Sequence, residues 1–147
     1  MTLRPHTLLL SILSIFFWIN AATAQNPERT KTIMIPADSA YTKIVQALHE
    51  SGYYIAKLDR PSGFIQTDIY LKDKSIIGFK DGEKRIFNFL VSPLSDKTAK
   101  IVLNIFRIER HRGGSFDAPN YYDENKGIIR DDKIYQQIWD KILPLLQ

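Results

Sequence analysis

The chain has 147 residues, a formal net charge of +4, 44% apolar residues and no cysteine. This length suits a single domain, and the missing cysteine excludes a disulfide framework, a thiolate metal site, a cysteine nucleophile and the lipid-bearing cysteine of a lipoprotein signal. Acids and bases are interleaved in nearly every segment, so the mild positive excess lacks the clustered stripe of a nucleic-acid binder, and no nucleic-acid partner is expected.

The chain opens with Arg4 and His6, and Leu8 to Ile19 is then apolar apart from Ser11 and Ser14. Small residues follow at Ala22-Thr23-Ala24, the pattern read by a signal peptidase. An apolar run of about a dozen residues falls short of the roughly 20 that a membrane-spanning helix needs. Residues 1–24 therefore read as a cleavable secretory signal cut before Gln25. The mature chain is expected to be periplasmic or secreted, with no membrane span.

Residues 25–31 are polar, contain Pro27 and read as a flexible leader to a single domain over 32–147. Thr32-Ile33-Met34-Ile35 suits a short strand stopped by Pro36. Asp38 or Ser39 then offers a helix N-cap, and Tyr41, Ile44, Val45 and Leu48 fall at i, i+3, i+4 and i+7 on one helical face. Gly52 is the residue expected just past the helix end. Tyr53–Leu58 and Phe64–Leu71 make a hairpin around Asp59-Arg60-Pro61-Ser62-Gly63. In its second strand Ile65, Thr67, Ile69 and Leu71 share one face, and Phe64, Gln66, Asp68 and Tyr70 the other. Ile76–Phe79 is a shorter apolar run before Asp81-Gly82, a tight-turn pair.

Two further strands, Arg85–Val91 and Ala99–Ile108, are predicted around a connection at Ser92–Asp96. Ile101, Leu103 and Ile105 face one way and Val102, Asn104, Phe106 and Ile108 the other, which suggests a central, well-covered strand. Residues 111–127 have no period of either kind and read as a long loop, a feature that in compact domains is often functional or disordered. A final helix from Asp131 to Leu146 carries the stripe Ile134, Ile138, Ile142 and Leu145 with Trp139 beside it, and Pro144 should fray its last turn. The order β-α-β-β-β-β-α gives an α+β fold: an antiparallel curved sheet of about five strands with two helices packed on one face.

Residues 44–67 carry a resemblance. A helix ending in Ala47-Leu48, then Gly52-Tyr53, a strand, Asp59-Arg60, Gly63 and a second strand resemble the helix-grip domains of the BamC family, lipoproteins of the outer-membrane protein assembly machinery. They are also similar to small TBP-like envelope domains of Bacteroidetes. The resemblance implies this α+β fold and an envelope setting; its glycines are packing and turn positions, so it implies no activity.

His49-Glu50 would need a second histidine at position 53 to make the metalloprotease motif, and Tyr53 stands there. Arg107, Glu109 and His111 share one face of their strand, with Arg110 and Arg112 on the other. Guanidinium forks there could bind phosphate or carboxylate, or simply be a solvated strand end. Ser115 lies in no nucleophile elbow, so no catalytic residue is expected. Phe116, Tyr121 and Tyr122, set among Asp117, Asp123 and Glu124, suit either a contact surface or a lid on the core. The acids do not follow a calcium-loop spacing, and no metal or cofactor is expected.

The expected function is a non-enzymatic envelope module. It would bind a protein or peptide through the 111–127 loop (His111, Arg112, Phe116, Tyr121, Tyr122), the adjoining strand-end residues Arg107 and Arg110, and the sheet face bearing Gln66, Asp68, Tyr70 and Lys72. The rival is a carrier of a small apolar ligand in a cavity between the terminal helix and the sheet.

Overall fold

The computed structural model describes residues 27–73, 80–115 and 117–146. The expected signal and its cleavage site, the apolar run Ile76–Phe79 and Phe116 lie outside the described residues. Within them, the chain is an α+β fold of six antiparallel strands and two helices. The strands are β1 (Thr30–Ile33), β2 (Tyr54–Asp59), β3 (Phe64–Lys72), β4 (Lys80–Ser95), β5 (Thr98–Gly114) and β6 (Pro119–Ile128). The helices are α1 (Ala37–Glu50) and α2 (Asp132–Ile142), and a 3-10 turn, Leu143–Leu146, follows α2.

From β2 to β6 the sheet is a meander of consecutive antiparallel neighbours. β1 and β6 lie end to end along the same edge of β5: β1 pairs with residues 99–102 and β6 with residues 106–114. Between them Tyr135, fully buried, closes the lane. Its hydroxyl donates to Ile129 O at 2.9 Å and accepts from Ile105 N at 3.4 Å, while Ile129 N donates to Ile105 O. A strand edge left open inside a domain would leave backbone groups unpaired, and a phenol at this position supplies the partner.

The core follows the alternation of the strands. Ala99, Ile101, Leu103 and Ile105 of β5 are fully buried and join Phe87, Phe89 and Val91 of β4 and Ile65 of β3. Ala40, Tyr41, Ile44, Ala47 and Leu48 of α1 and Tyr135, Ile138, Trp139 and Ile142 of α2 belong to the same cluster. Edge-to-face contacts join Tyr53 to Phe87 and Phe89 to Trp139, the arrangement that aromatic quadrupoles favour.

α1 ends as its sequence demands. Gly52 has φ +77°, its N–H donates to His49 O, and Tyr53 N donates to Leu48 O, the paired bonds of a Schellman cap. Its start differs from expectation, because Pro36 occupies the N-cap position and offers no side-chain bond. Asp38 lies in the first turn, where a negative charge is favoured, and its carboxylate is taken by Arg60. In the turn between β2 and β3, Gly63 has φ +70° and a Cβ there would lie 2.0 Å from Val91 O.

Five expectations about the strands and the leader are corrected. The sheet has six strands and the order β-α-β-β-β-β-β-α, one strand more than expected. The extra strand comes from residues 111–127: β5 continues to Gly114 and β6 pairs back along it, so this segment is a hairpin and no loop. Residues 27–31 of the expected flexible leader are held, as a 3-10 turn and the start of β1, by Trp139 Nε1 donating to Glu28 O at 2.6 Å. Asp81-Gly82 makes no turn but belongs to β4. Glycine is needed there because a Cβ would lie 2.7 Å from the backbone oxygen of Leu71 on β3, and would also meet the Tyr70 hydroxyl that lies over it. Finally, β4 runs on to Ser95 through a register shift at Pro93, so the turn sits at Asp96-Lys97 and 92–94 are strand. A proline in a strand is tolerated at such an irregularity.

In α2 the N-cap is Asp131, which accepts from Lys133 N at 3.0 Å. Beyond Ile142 the chain tightens to a 3-10 turn at Pro144, so Leu146 turns inward and Leu145 is left 45% exposed. The tighter turn advances faster per residue than an α-helix, which is why the helical stripe misplaced Leu145.

Candidate functional site

The long strands outrun the helices. β5 has 17 residues, about 55 Å at the rise of a strand. α1 and α2 have 14 and 11 residues, about 21 and 16 Å. The apolar series accordingly stops at Ile105 on β5 and Phe87 on β4, and the outer ends of these strands with β6 carry polar side chains on both faces.

On the face continuous with the core, the next register rows are Arg85 with Arg107, then Glu83 with Glu109 and Glu124, then His111 with Tyr122. These side chains form a web of opposite charges. Lys80 Nζ reaches Glu83 at 2.9 Å and Glu109 Oε1 at 3.3 Å, and Arg85 reaches Glu83 at 2.5 Å. Lys126 Nζ lies 2.7 Å from Glu124 Oε1 and 3.7 Å from Glu109 Oε2. Burial pushes the Glu83 carboxyl up, but hydrogen bonds and charge from Lys80 and Arg85 outweigh it and hold it below the ordinary value. The hydrogen bond from Lys126 likewise lowers the Glu124 carboxyl. His111 is stacked on Tyr122, ring centroids 5.3 Å apart, with Nε2 directed at Glu109 and Glu124. Glu109, His111 and Glu124 are the residues that could hold a metal ion, their ligand atoms lying within 4.8 Å of one another.

The opposite, open face is ordered in rows across the sheet. Val102, Leu90 and Phe64 form one apolar row and Ile128, Phe106 and Ile86 another. Between them runs an amide row of Asn104, Asn88 and Gln66, in which Gln66 Nε2 donates to Asn88 Oδ1 at 2.8 Å and Arg29 donates to Asn104 Oδ1. Leu90 and Ile128 are 44% and 41% exposed. Toward the outer end, Lys84 pairs with Asp68 at 2.8 Å, and Tyr70 donates to Asp81 Oδ2 at 3.1 Å while covering Gly82. Burial and this bond raise the Tyr70 phenol above its ordinary value. Gly82 is the register partner of Arg110, whose guanidinium lies 5.0 Å from the Tyr121 ring centroid, within cation–π range.

The structure thus divides the residues singled out in the sequence between two faces. Arg107, His111 and Tyr122 lie in the charged web. Tyr70, Arg110 and Tyr121 gather on the open face, with Arg112 opposite Tyr121 in the register. Gln66 is engaged in the amide row, and Lys72 ends β3 as the partner of Gly82. Sequence reasoning missed Glu83, whose partners Lys80 and Arg85 lie on its own strand, missed the roles of Glu124 and Lys126, which depend on β6 being a strand, and missed the amide row, whose members are far apart in the chain. No helix among the described residues is long and apolar enough to cross a membrane. Compared with known protein families and curated proteins, the chain matches no family model and no curated sequence.

Proposed function

We propose that the chain is an exported, non-catalytic binding module that engages a protein or peptide partner through its open sheet face and the β5–β6 projection. The observation that carries this reading is the pair of apolar rows on the open face, continued outward by Tyr70, Arg110 and Tyr121. Helix residues cluster with the other face, and exposed apolar area edged by aromatic and arginine side chains is the composition of protein interfaces. A BamC-like envelope role agrees with this reading. The non-catalytic part rests on the sequence, which holds neither a nucleophile elbow nor a complete metalloprotease motif.

The test is capture from the envelope fraction of the source cells with wild-type protein, a Leu90→Asp/Ile128→Asp variant and a Tyr70→Ser/Tyr121→Ser variant, each shown by circular dichroism to melt as the wild type does. A species recovered with wild type and lost with both variants supports the reading. Equal recovery with all three overturns it.

A second reading, a carrier of a small apolar ligand, is favoured by one feature. A cleft of about 510 Å³ lies between α2 and the ends of β3 and β4, lined by Tyr53, Ile69, Leu71, Phe87 and Ile138 with Arg85 and Lys141 among them. A ligand co-purifying in that cleft, and lost in Phe87→Asp, would move the assignment to this reading.

A further inference from the structure

The geometry points to a divalent transition-metal site, suited to zinc, formed by Glu109, His111 and Glu124 on the core-side face of the β5–β6 hairpin. It lies on the opposite side of the sheet from the partner face and does not rest on it.

The strand register builds the ligand set. Glu109 and His111 are two residues apart on β5 and share a face, and Glu124 is the cross-strand partner of Glu109. His111 Nε2 lies 3.5 Å from Glu109 Oε2 and 3.2 Å from Glu124 Oε2. A tetrahedral zinc ion with bonds of ~2.0–2.1 Å places its ligand atoms roughly 3.3–3.4 Å apart. Two edges of the polyhedron are therefore present, and the ligand atoms of the third lie within 4.8 Å of each other.

An independent observation marks the imidazole. Nε2 of His111 is buried, 3.2 Å from Glu124 Oε2 and 3.5 Å from Glu109 Oε2, and is poorly aligned for a hydrogen bond to either. A buried ring nitrogen aimed between two carboxylate oxygens and well aligned with neither is poorly satisfied, and a shared metal ion would satisfy all three atoms.

The remaining carboxylate oxygens are held from outside. Lys80 Nζ donates to Glu109 Oε1 at 3.3 Å, with Arg107 Nε 3.6 Å from the same atom, and Lys126 takes Glu124 Oε1 at 2.7 Å. Lys80 and Arg107 act on the Glu109 oxygen turned away from His111 and Lys126 chiefly on the outer oxygen of Glu124, as outer-shell groups that orient ligands do, although Lys126 also stands 3.7 Å from the inner Glu109 Oε2. Tyr122, stacked on the imidazole, fixes its plane. Two carboxylates balance the charge of a divalent ion, and the imidazole selects zinc and its transition-metal neighbours over calcium and magnesium. The same cations weaken the site, so it should load reversibly and need not be a condition of folding.

The test is equilibrium dialysis of the purified, untagged protein against zinc alone, with calcium and magnesium in parallel, followed by nitrogen NMR of the His111 ring. The expected result is one zinc per chain, no retention of calcium or magnesium, and a large shift of the His111 Nε2 resonance on loading. His111→Ala and Glu124→Gln should each weaken retention at least ~10-fold, the scale on which even outer-shell changes act, and His49→Ala should leave it unchanged. The wild-type NMR shift requires no variant, so a variant that fails to fold leaves the test intact. Failure to bind zinc, or binding without a shift of His111, overturns the site. Either result leaves the partner-binding reading standing, since that is read from the other face.

Discussion

Removing one oxygen from the centre of the molecule tests how β1 and β6 share the edge of β5. In Tyr135→Phe the ring stays in its fully buried place, and the cavity left is smaller than a methyl group. The hydroxyl bonds to Ile129 O at 2.9 Å and from Ile105 N at 3.4 Å are both lost. The shorter bond contributes about 1 kcal/mol net, and leaving Ile105 N–H unpaired in a buried lane costs about 1 kcal/mol or more, so the loss should be about 2 kcal/mol. For a domain of this size that corresponds to a fall in Tm of roughly 8 °C. Urea titration should show a lower midpoint with an unchanged slope, and the Ile105 amide should exchange faster with solvent. A stability change below ~0.5 kcal/mol with unaltered Ile105 exchange would falsify the role assigned to this hydroxyl.

Leu48 is fully buried on α1 while its neighbour His49 is exposed; Leu48→Ala should cost ~2–5 kcal/mol in denaturant titration, and His49→Ala should be nearly silent. The folded-state carboxyl of Glu83 is held below its ordinary 4.5, so the stability it contributes is present above that value and lost as pH falls below it. Melting curves recorded from pH 6 downward should therefore decline more gently in Glu83→Gln than in wild type, and identical slopes would remove Glu83 from the account of acid sensitivity.

Elements that bury one face were legible in the sequence. α1 announced itself through Tyr41, Ile44 and Leu48 and through Gly52, because a helix against a core must repeat its apolar residues and must end in a backbone that only glycine adopts easily. The inner half of β5 was legible through Ile101, Leu103 and Ile105 for the same reason. β6 was invisible: eight of the residues in its pattern from Pro119 onward are exposed in sequence, and a strand uncovered on both sides has no apolar period to display. Gly82 misled for a related reason, since a glycine beside an aspartate signals a turn, yet here it makes room for the backbone of the neighbouring strand at Leu71. The outer site was half legible. Alternation separated Arg107 and His111 from Arg110 and Arg112 without any structure, whereas Glu124 and Lys126 reach Glu109 only through a pairing that spans the hairpin.

The place of β1 also bears on the order in which the molecule is assembled. Every other strand finds its neighbour across a short connection, but Thr30 must wait for Val102. Loop closure over such a distance is slow compared with hairpin formation, so the meander forms first and the first strand docks last. Until it does, residues 99–102 of β5 present an empty lane that fits any segment with the sequence of β1. The first strand of a second molecule satisfies that lane equally well, and crowded, partly folded chains can close it by exchange. Trp139, whose indole grips Glu28 just ahead of β1, makes the final helix a latch on whichever copy of that strand has docked.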